Sequence, residues 1–298
     1  MKLGVIGGAG RLGATTAFCV GLRDCVDEIK LMDLEEYMEY LKCYSTEKRE
    51  DLMNTERGIM RKVSTVKSFY NYFYRTERIQ NNPASLLQLP KIHEKEIIRL
   101  DVDEVARFLD EVEDGECLTE KQKAYHAKTK LRDLAMMTLL LGTGLRVSEC
   151  VGLNINDVDF RNGGLRIHRK GGKEVIVYFG AEVEYALQDY LSEREHIVPE
   201  EGSEEALFLS MQRKRINVRS VEKMVKKYAQ LVTPLKKITP HKLRSTYGTN
   251  LYRETGDIYL VADVLGHSDV NTTKKHYAAL EDERRRSARN KVQLREIE

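Results

Sequence analysis

An amphipathic stripe marks the second part of the chain. Five apolar residues follow one another at steps of four, three, four and three positions: Ile59, Val63, Val66, Tyr70 and Phe73. This spacing places them on one face of an α-helix, with basic residues on the remaining surface. Breaker signals near Pro83 and Pro90 end the helical pattern, so we predict a helical region at 35–92 and a linker at about 89–97.

The remaining chain, from residue 98 to 298, has a mostly helical pattern with one interruption. An apolar helix is predicted at 131–141, and four more follow at about 181–195, 218–231, 240–254 and 258–265. Between the first and second of these helices, residues 165–169 alternate apolar and polar positions, and residues 174–179 are rich in β-branched and aromatic residues. Lys170-Gly171-Gly172-Lys173 separates the two segments. This arrangement predicts a β-hairpin. The fold class is therefore mainly α (α+β), with one small hairpin or sheet.

The first 34 residues have a different pattern. A short strand at 2–6, a glycine turn, a helix at 11–22 and a second strand at 28–32 are predicted. Gly8, Gly10 and Gly13 form a GxGxxG between strand and helix, and Asp33 follows Gly13 by twenty residues. The segment resembles the opening βαβ unit of malate or lactate dehydrogenases, which implies pyrophosphate binding at the glycines and ribose binding by Asp33.

This Rossmann-like fragment is too short to form a dinucleotide site. The pattern becomes helical directly after Leu34, and two isolated parallel strands cannot cover both faces of a sheet. We therefore interpret the three glycines and Asp33 as vestigial dinucleotide-binding residues and expect no cofactor.

Composition narrows the class of protein. The chain has 298 residues, of which 41% are hydrophobic and 32% charged, as in soluble globular proteins. It contains no apolar run long enough for a membrane helix and no signal-peptide pattern. Its five cysteines are scattered without a CxxC pair, so we expect neither a zinc site nor a disulfide framework. A reduced, cytoplasmic protein is the expectation.

Positive charge is concentrated in one stretch. Residues 211–253 contain twelve Lys or Arg residues and a single acid, Glu222, which gives a net charge of +11. Val218, Val221, Val225 and Tyr228 interrupt the basic residues at helical spacing, so the stretch predicts an amphipathic helix with a basic face. Such a face is suited to the phosphate backbone of a nucleic acid.

Four short strings carry candidate chemistry. They lie at 143–149, 169–173, 241–244 and 265–267, and Tyr277 follows ten residues after the last. Their key positions supply two arginines, two histidines, a lysine and a tyrosine, without a carboxylate cluster or a set of metal ligands. This inventory suits metal-free phosphoryl transfer, because guanidinium groups can clamp the phosphate oxygens and a positioned lysine can protonate a leaving oxygen. A phenol with a pKa of ~10 needs such cationic neighbours to act as a nucleophile.

In their order and content these strings resemble the tyrosine recombinase (phage integrase and Xer-like) family, over about residues 35–298. The resemblance implies that Arg146 and Arg244 bind the scissile phosphate and that Tyr277 forms a 3′-phosphotyrosine. Lys170 would be the general acid, with Lys173 as the alternative. His241 would support the phosphate and act in proton transfer, and His267 would hydrogen-bond the phosphate. Glu149 would orient active-site side chains.

The resemblance also implies an organisation and partners. Residues 35–92 match only the latter part of a helical (SAM-like) core-binding domain that clamps DNA, and 98–298 match the catalytic domain. Four protomers would synapse two double-stranded DNA sites without metal or ATP. The family tyrosine usually stands nine residues after the Leu-Gly-His histidine, whereas His276 holds that place here and Tyr277 is the tenth.

Two other functions remain open at this point. An NAD-dependent oxidoreductase rests only on residues 1–34. A DNA-binding relative without catalysis remains open because the predicted clamp is incomplete, and an incomplete clamp would also impair a true recombinase.

Overall fold

The structure is a computed structural model, and it describes residues 26–46, 49–91, 98–169, 172–266 and residue 270. The chain divides into two compact units, Met1–Glu96 and Ile97–Glu298. Each has its own hydrophobic core.

The described part of the first unit is built on two helices, α1 (Leu31–Lys42) and α2 (Glu56–Arg75). Thr55 caps α2, because its hydroxyl accepts the Gly58 N–H at 3.2 Å. Of the predicted stripe, Ile59, Val63, Val66 and Tyr70 are buried and Phe73 packs against the same core. Leu34, Tyr37 and Leu41 of α1 complete this core with the short 3₁₀ segment Pro83–Ser85.

The prediction of a strand at 28–32 is wrong. A 3₁₀ turn, Val26–Glu28, occupies the start of this segment, and α1 already begins at Leu31. Asp33 is the third residue of that helix, and its carboxylate accepts the Lys30 backbone N–H at 2.7 Å. An acid that accepts the N-cap N–H from the third helical position is one half of a capping box, so the residue assigned to a ribose instead marks a helix start. Gly8, Gly10 and Gly13 lie outside the described residues.

A two-stranded hairpin joins α1 and α2, where the sequence pattern predicted only helix. Strand β1 (Cys43–Thr46) pairs antiparallel with β2 (Arg49–Met53), with an irregular register between Tyr44 and Thr46. At its base the Asn54 side-chain amide donates to the Leu41 carbonyl oxygen at 2.7 Å.

The second unit is mainly helical. Its described helices are α3 (Val102–Asp114), α4 (Glu120–His126), α5 (Lys130–Thr143), α6 (Val147–Gly152), α7 (Ala181–Arg194), α8 (Val218–Val232), α9 (Pro240–Thr255) and α10 (Ile258–Leu265). Helix α5 lies at the centre, where it packs against α3, α7 and α9. Met136, Leu139 and Leu140 of α5 are therefore almost completely buried.

A small antiparallel sheet lies beside these helices. Its strands β3 (Val158–Asp159), β4 (Gly164–His168) and β5 (Glu174–Tyr178) are neighbours in chain order. The register pairs Leu165 with Val177 and His168 with Glu174, which confirms the predicted hairpin. Leu165, Ile167 and Val177 point into the core, as the alternating pattern requires.

Within the described ranges, no helix combines the length and the apolar character that crossing a bilayer would require.

Candidate active site

Arg146 stands where the chain turns from α5 into α6. Helix α5 ends at Gly144, which has a left-handed φ of +64° that glycine adopts without a steric penalty. Arg146 is then the N-cap of α6, and its backbone N–H donates to Glu149 Oε2 at 2.8 Å. Its guanidinium donates to Glu149 Oε1 at 2.8 Å, so one carboxylate holds both the helix start and the side chain.

The two partners differ in exposure. The Glu149 side chain is only 7% exposed, whereas the Arg146 side chain is 43% exposed. The carboxylate therefore lies inside the protein and the guanidinium at its surface, where a phosphate can reach it.

Arg244 lies one helical turn after His241 on α9, so the two residues share one side of the helix. Arg244 is buried, and its guanidinium donates to the Gly144 carbonyl oxygen at 2.6 Å and to the Leu265 carbonyl oxygen. It thereby joins the end of α5 to the end of α10. His241 is exposed.

Arg169, directly after β4, makes a third connection to the same place. Its guanidinium donates to the Val264 carbonyl oxygen at 3.1 Å, and its Nε lies 3.8 Å from Glu149 Oε1. Arg169 is not among the site residues predicted from the sequence. The available signal was a second cation immediately before Lys170, which is also what a solvated hairpin turn contains.

The three arginines meet at the C-terminal end of α10. Arg169, Arg244 and Arg146 donate to three successive carbonyl oxygens, those of Val264, Leu265 and Gly266. The last turn of a helix leaves its carbonyls without intrahelical donors and carries partial negative charge, so cations are stabilised there. The arrangement brings Arg146 and Arg244, 98 positions apart in the sequence, to one point.

Three predicted site residues, Lys170, His267 and Tyr277, lie outside the described residues. Their described neighbours are part of the arrangement, since Arg169 precedes Lys170 and Gly266 precedes His267. Lys173, the alternative general acid, is exposed, and its carbonyl accepts the Arg169 N–H at 2.8 Å.

A tyrosine of α9 adjoins this arrangement. Tyr247 of α9 lies against Gly144, where an added Cβ would overlap its ring. Burial raises the pKa of the Tyr247 phenol. A raised pKa opposes formation of a phenolate, so Tyr247 is a poorer candidate nucleophile than an exposed tyrosine would be.

The basic stretch forms a surface on α8. Arg219, Lys223 and Lys226 are exposed, whereas Val221, Val225 and Tyr228 face the core. Lys227 lies over the Tyr228 ring at 3.7 Å, and desolvation lowers the pKa of its ammonium. On the core side of α8, the Tyr228 hydroxyl donates at 3.2 Å to Asp133, which also pairs with buried Arg132.

In the described part of the chain, no three His, Cys, Asp or Glu side chains are grouped so that they could hold a metal ion.

Known proteins are similar to this chain in sequence and in fold. The model of the phage integrase family matches residues 99–284. A tyrosine recombinase XerC from Caldanaerobacter subterraneus subsp. tengcongensis is 36% identical over 274 residues, covering 90% of this chain and 71% of that protein. A tyrosine recombinase XerD from Oceanobacillus iheyensis is 31% identical over 271 residues, covering 85% of this chain and 87% of that protein.

Solved structures of recombinases have a similar fold. The crystal structure of XerA recombinase is 27% identical with a TM-score of 0.55, covering 95% of this chain and 90% of that one. The post-cleavage complex of XerH with a palindromic difH substrate has a TM-score of 0.73 at 19% identity, covering 94% of this chain and 77% of that one, and it supports the fold alone. By the family match and the identity to these relatives, the chain belongs to the phage integrase family, that of the tyrosine recombinases.

Proposed function

We propose that this protein is a site-specific DNA recombinase that cuts and rejoins double-stranded DNA through a 3′-phosphotyrosine intermediate. The observation that carries the proposal is the meeting of Arg146 and Arg244 at the end of α10, the helix that leads directly to His267. Relatives named tyrosine recombinases support the same reaction.

In the proposed reaction, the Tyr277 phenol gives its proton to His241 while its oxygen attacks the phosphorus of one phosphodiester. A P–O bond to tyrosine forms as the P–O bond to the 5′-oxygen breaks, so the bond energy is kept in the phosphotyrosine. The 5′-oxygen leaves as a hydroxyl after taking a proton from Lys170. Attack by a 5′-hydroxyl of the partner strand reverses the step and rejoins the DNA.

The remaining residues stabilise charge. Arg146 at the surface binds the non-bridging oxygens, where fixed donors aimed at developing charge are worth several kcal/mol. Arg244 contributes from the buried side, His241 and His267 donate to the phosphate, and Glu149 keeps the Arg146 guanidinium in place.

We propose the remaining organisation from the same resemblance. Residues 35–92 act as a partial DNA-clamping core-binding domain, 98–298 as the catalytic domain, and four protomers assemble on two synapsed DNA sites. The protein would act in the cytoplasm. The oxidoreductase alternative depended on a second strand that ends at Asp33. It loses this support because Asp33 lies in α1.

A nicked duplex tests the function, because cleavage beside the nick releases a short fragment and traps the covalent adduct. The DNA flanking the gene supplies the site, where inverted repeats around a short spacer are expected. The unmodified protein should give an adduct that survives denaturation, and Tyr277→Phe should give none while still retarding the DNA in a gel.

Two results would contradict the proposal. An adduct formed by Tyr277→Phe would place the nucleophile elsewhere. DNA binding without any adduct from the unmodified protein would favour the non-catalytic DNA-binding relative.

A further inference from the structure

The turn of the β4–β5 hairpin is held on both sides of Lys170 by Arg169 and its neighbours. The Arg169 N–H donates to the Lys173 carbonyl oxygen at 2.8 Å, and the Gly172 N–H donates to the Arg169 carbonyl oxygen at 3.2 Å. Together with the last ladder pair, His168 and Glu174, these bonds fix the backbone of Arg169 at the point where the chain enters the turn.

The Arg169 side chain reaches away from the hairpin into the arginine cluster. Its guanidinium donates to the Val264 carbonyl oxygen at 3.1 Å and lies so close to Gly266 that a Cβ there would overlap it. Its Nε is 3.8 Å from the Glu149 carboxylate that also holds Arg146. One side chain thus contacts the segment before His267 and the carboxylate behind Arg146.

The connections of Arg169 distinguish it from the two arginines assigned to the phosphate. The Arg169 side chain is 13% exposed, against 43% for Arg146. Arg244 is buried as well, but it joins two helix ends, whereas Arg169 starts from the hairpin turn and directs a donor to the Val264 carbonyl oxygen. The contacts of Arg169 therefore suit a residue that orders the turn.

We propose that Arg169 is a positioning residue for the general acid. It ties the hairpin turn that contains Lys170 to the end of α10 and to Glu149, so that the proton donor stays in register with the phosphate-binding arginines. This inference rests on the proposed recombinase function. Its consequence is that loss of Arg169 impairs protonation of the leaving 5′-oxygen more than it impairs phosphate binding.

A substrate with sulfur in place of the bridging 5′-oxygen isolates that step. A thiol has a pKa of about 8.5, far below that of an alcohol, so a thiolate leaves without a proton. For Arg169→Ala we expect cleavage of the all-oxygen duplex to slow by about 10- to 100-fold, a part of the usual effect of general acid catalysis. The sulfur duplex should lose no more than about threefold, since that leaving group bypasses the general acid.

A conservative variant and a control variant test this expectation further. Arg169→Lys keeps the charge but lacks the planar fork, so its rate on the all-oxygen duplex should fall between those of the unmodified protein and Arg169→Ala. Arg166→Ala is the matched control on β4, because Arg166 is exposed and binds Asp157 and the Asn156 carbonyl instead. It should cleave both duplexes at the rate of the unmodified protein.

Three results would overturn the inference. Equal losses of Arg169→Ala on both duplexes would mean that the residue acts through the phosphate-binding groups or through folding. An unchanged rate on the all-oxygen duplex would mean that it has no role in the reaction. A comparable, sulfur-rescued loss in Arg166→Ala would attribute the effect to the sheet as a whole.

Amide hydrogen exchange tests the tie without any catalysis. The Gly172 and Gly266 N–H groups donate to the Arg169 and Asp263 carbonyls, so both should be protected. Arg169→Ala should speed their exchange by about tenfold or more, as local opening becomes easier, while Arg166→Ala leaves it unchanged. Unchanged exchange in Arg169→Ala would overturn the tie. If the unmodified protein cleaved neither duplex while Arg169→Ala still showed faster exchange, the proposed function would be contradicted and the tie would stand.

Discussion

Arg146 and Arg244 were both expected to bind the same phosphate, but their surroundings differ. Arg244 is buried and spans two carbonyl oxygens from different helices. Arg146 is nearly half exposed, and its guanidinium donates to the Glu149 carboxylate and to the Gly266 carbonyl oxygen. We therefore expect Arg244 to contribute to folding as well as to catalysis, and Arg146 to contribute mainly to catalysis.

Single substitutions also decide whether Lys170 or Lys173 is the general acid. Lys170→Ala should slow cleavage of the all-oxygen duplex by about 10²- to 10⁴-fold and be rescued by the bridging sulfur, because only the proton donor is bypassed. Lys173→Ala is the matched control, three positions away in the same turn. Cleavage rates on the two duplexes decide the assignment, and sulfur rescue of Lys173→Ala alone would reverse it.

The sequence predicts which residues belong to the candidate site, but it does not predict their partners. The types and order of the arginines, histidines and lysine were enough to select them. Their acceptors are the main-chain oxygens of Val264, Leu265 and Gly266, and a main-chain oxygen has no residue type that could be recognised. Arg169 was missed for this reason, since only its contact to Val264 distinguishes it from a solvated turn residue.

At the scale of elements, the left-handed end of α5 sets the path between two site residues. Gly144 has a φ of +64°, its carbonyl accepts from Arg244, and the chain reaches Arg146 two residues later. An added Cβ would overlap the Tyr247 ring and approach Leu265 Cδ2 to 2.9 Å. Both the backbone angle and the packing therefore require glycine.

Gly144→Ala should destabilise the fold and disturb the site together. Gly202→Ala is the matched control, because Gly202 has a φ of +79° but an added Cβ would meet no atom within 4 Å. The control should cost about 1–2 kcal/mol from the backbone angle alone. Gly144→Ala should cost about 1–3 kcal/mol more from overpacking, measured by denaturant unfolding of the full chain. Equal losses would show that the Tyr247 and Leu265 contacts are relieved at no cost.

Elements were predicted well where one face is buried over several turns. The stripe on α2 and the hairpin of β4 and β5 follow directly from the periods of their apolar residues. The segment at 28–32 failed because Ile29 and Leu31 alternate with polar residues as in a strand. Leu31, Leu34, Met38 and Leu41 also fit a helix, and the Asp33 cap decides for it. The β1–β2 hairpin has no long apolar alternation, so nothing in the pattern separated it from the helices.

For the whole molecule, the net charge of +2 conceals a strongly uneven distribution. The exposed cations of α8 lie on a helix whose other face is in the core, so their positions are fixed relative to the second unit. A fixed row of cations can release the counterions of a DNA backbone when it binds.

Salt dependence measures that contribution. We expect the double substitution Arg219→Gln and Lys226→Gln to lower the slope of log affinity against log salt by up to about two, since each lost phosphate contact removes about 0.9. The control pair, Arg107→Gln and Lys128→Gln, removes the same charge from exposed positions on and near α3 and α4. Titrations of labelled duplex at several salt concentrations give the slopes. Equal slopes for the two pairs would show that α8 does not contact the backbone.

Glu149 serves a helix start with one oxygen and a guanidinium with the other. In evolutionary terms, these two tasks are linked in one side chain, but only one of them depends on the arginine. A copy of the gene freed from any need to recombine DNA would still need a side chain that caps α6 at position 149, and either glutamate or glutamine can supply it. The cap uses only the Arg146 backbone N–H, so an Arg146–Glu149 pair retained in a relative points to use of the guanidinium rather than to folding alone.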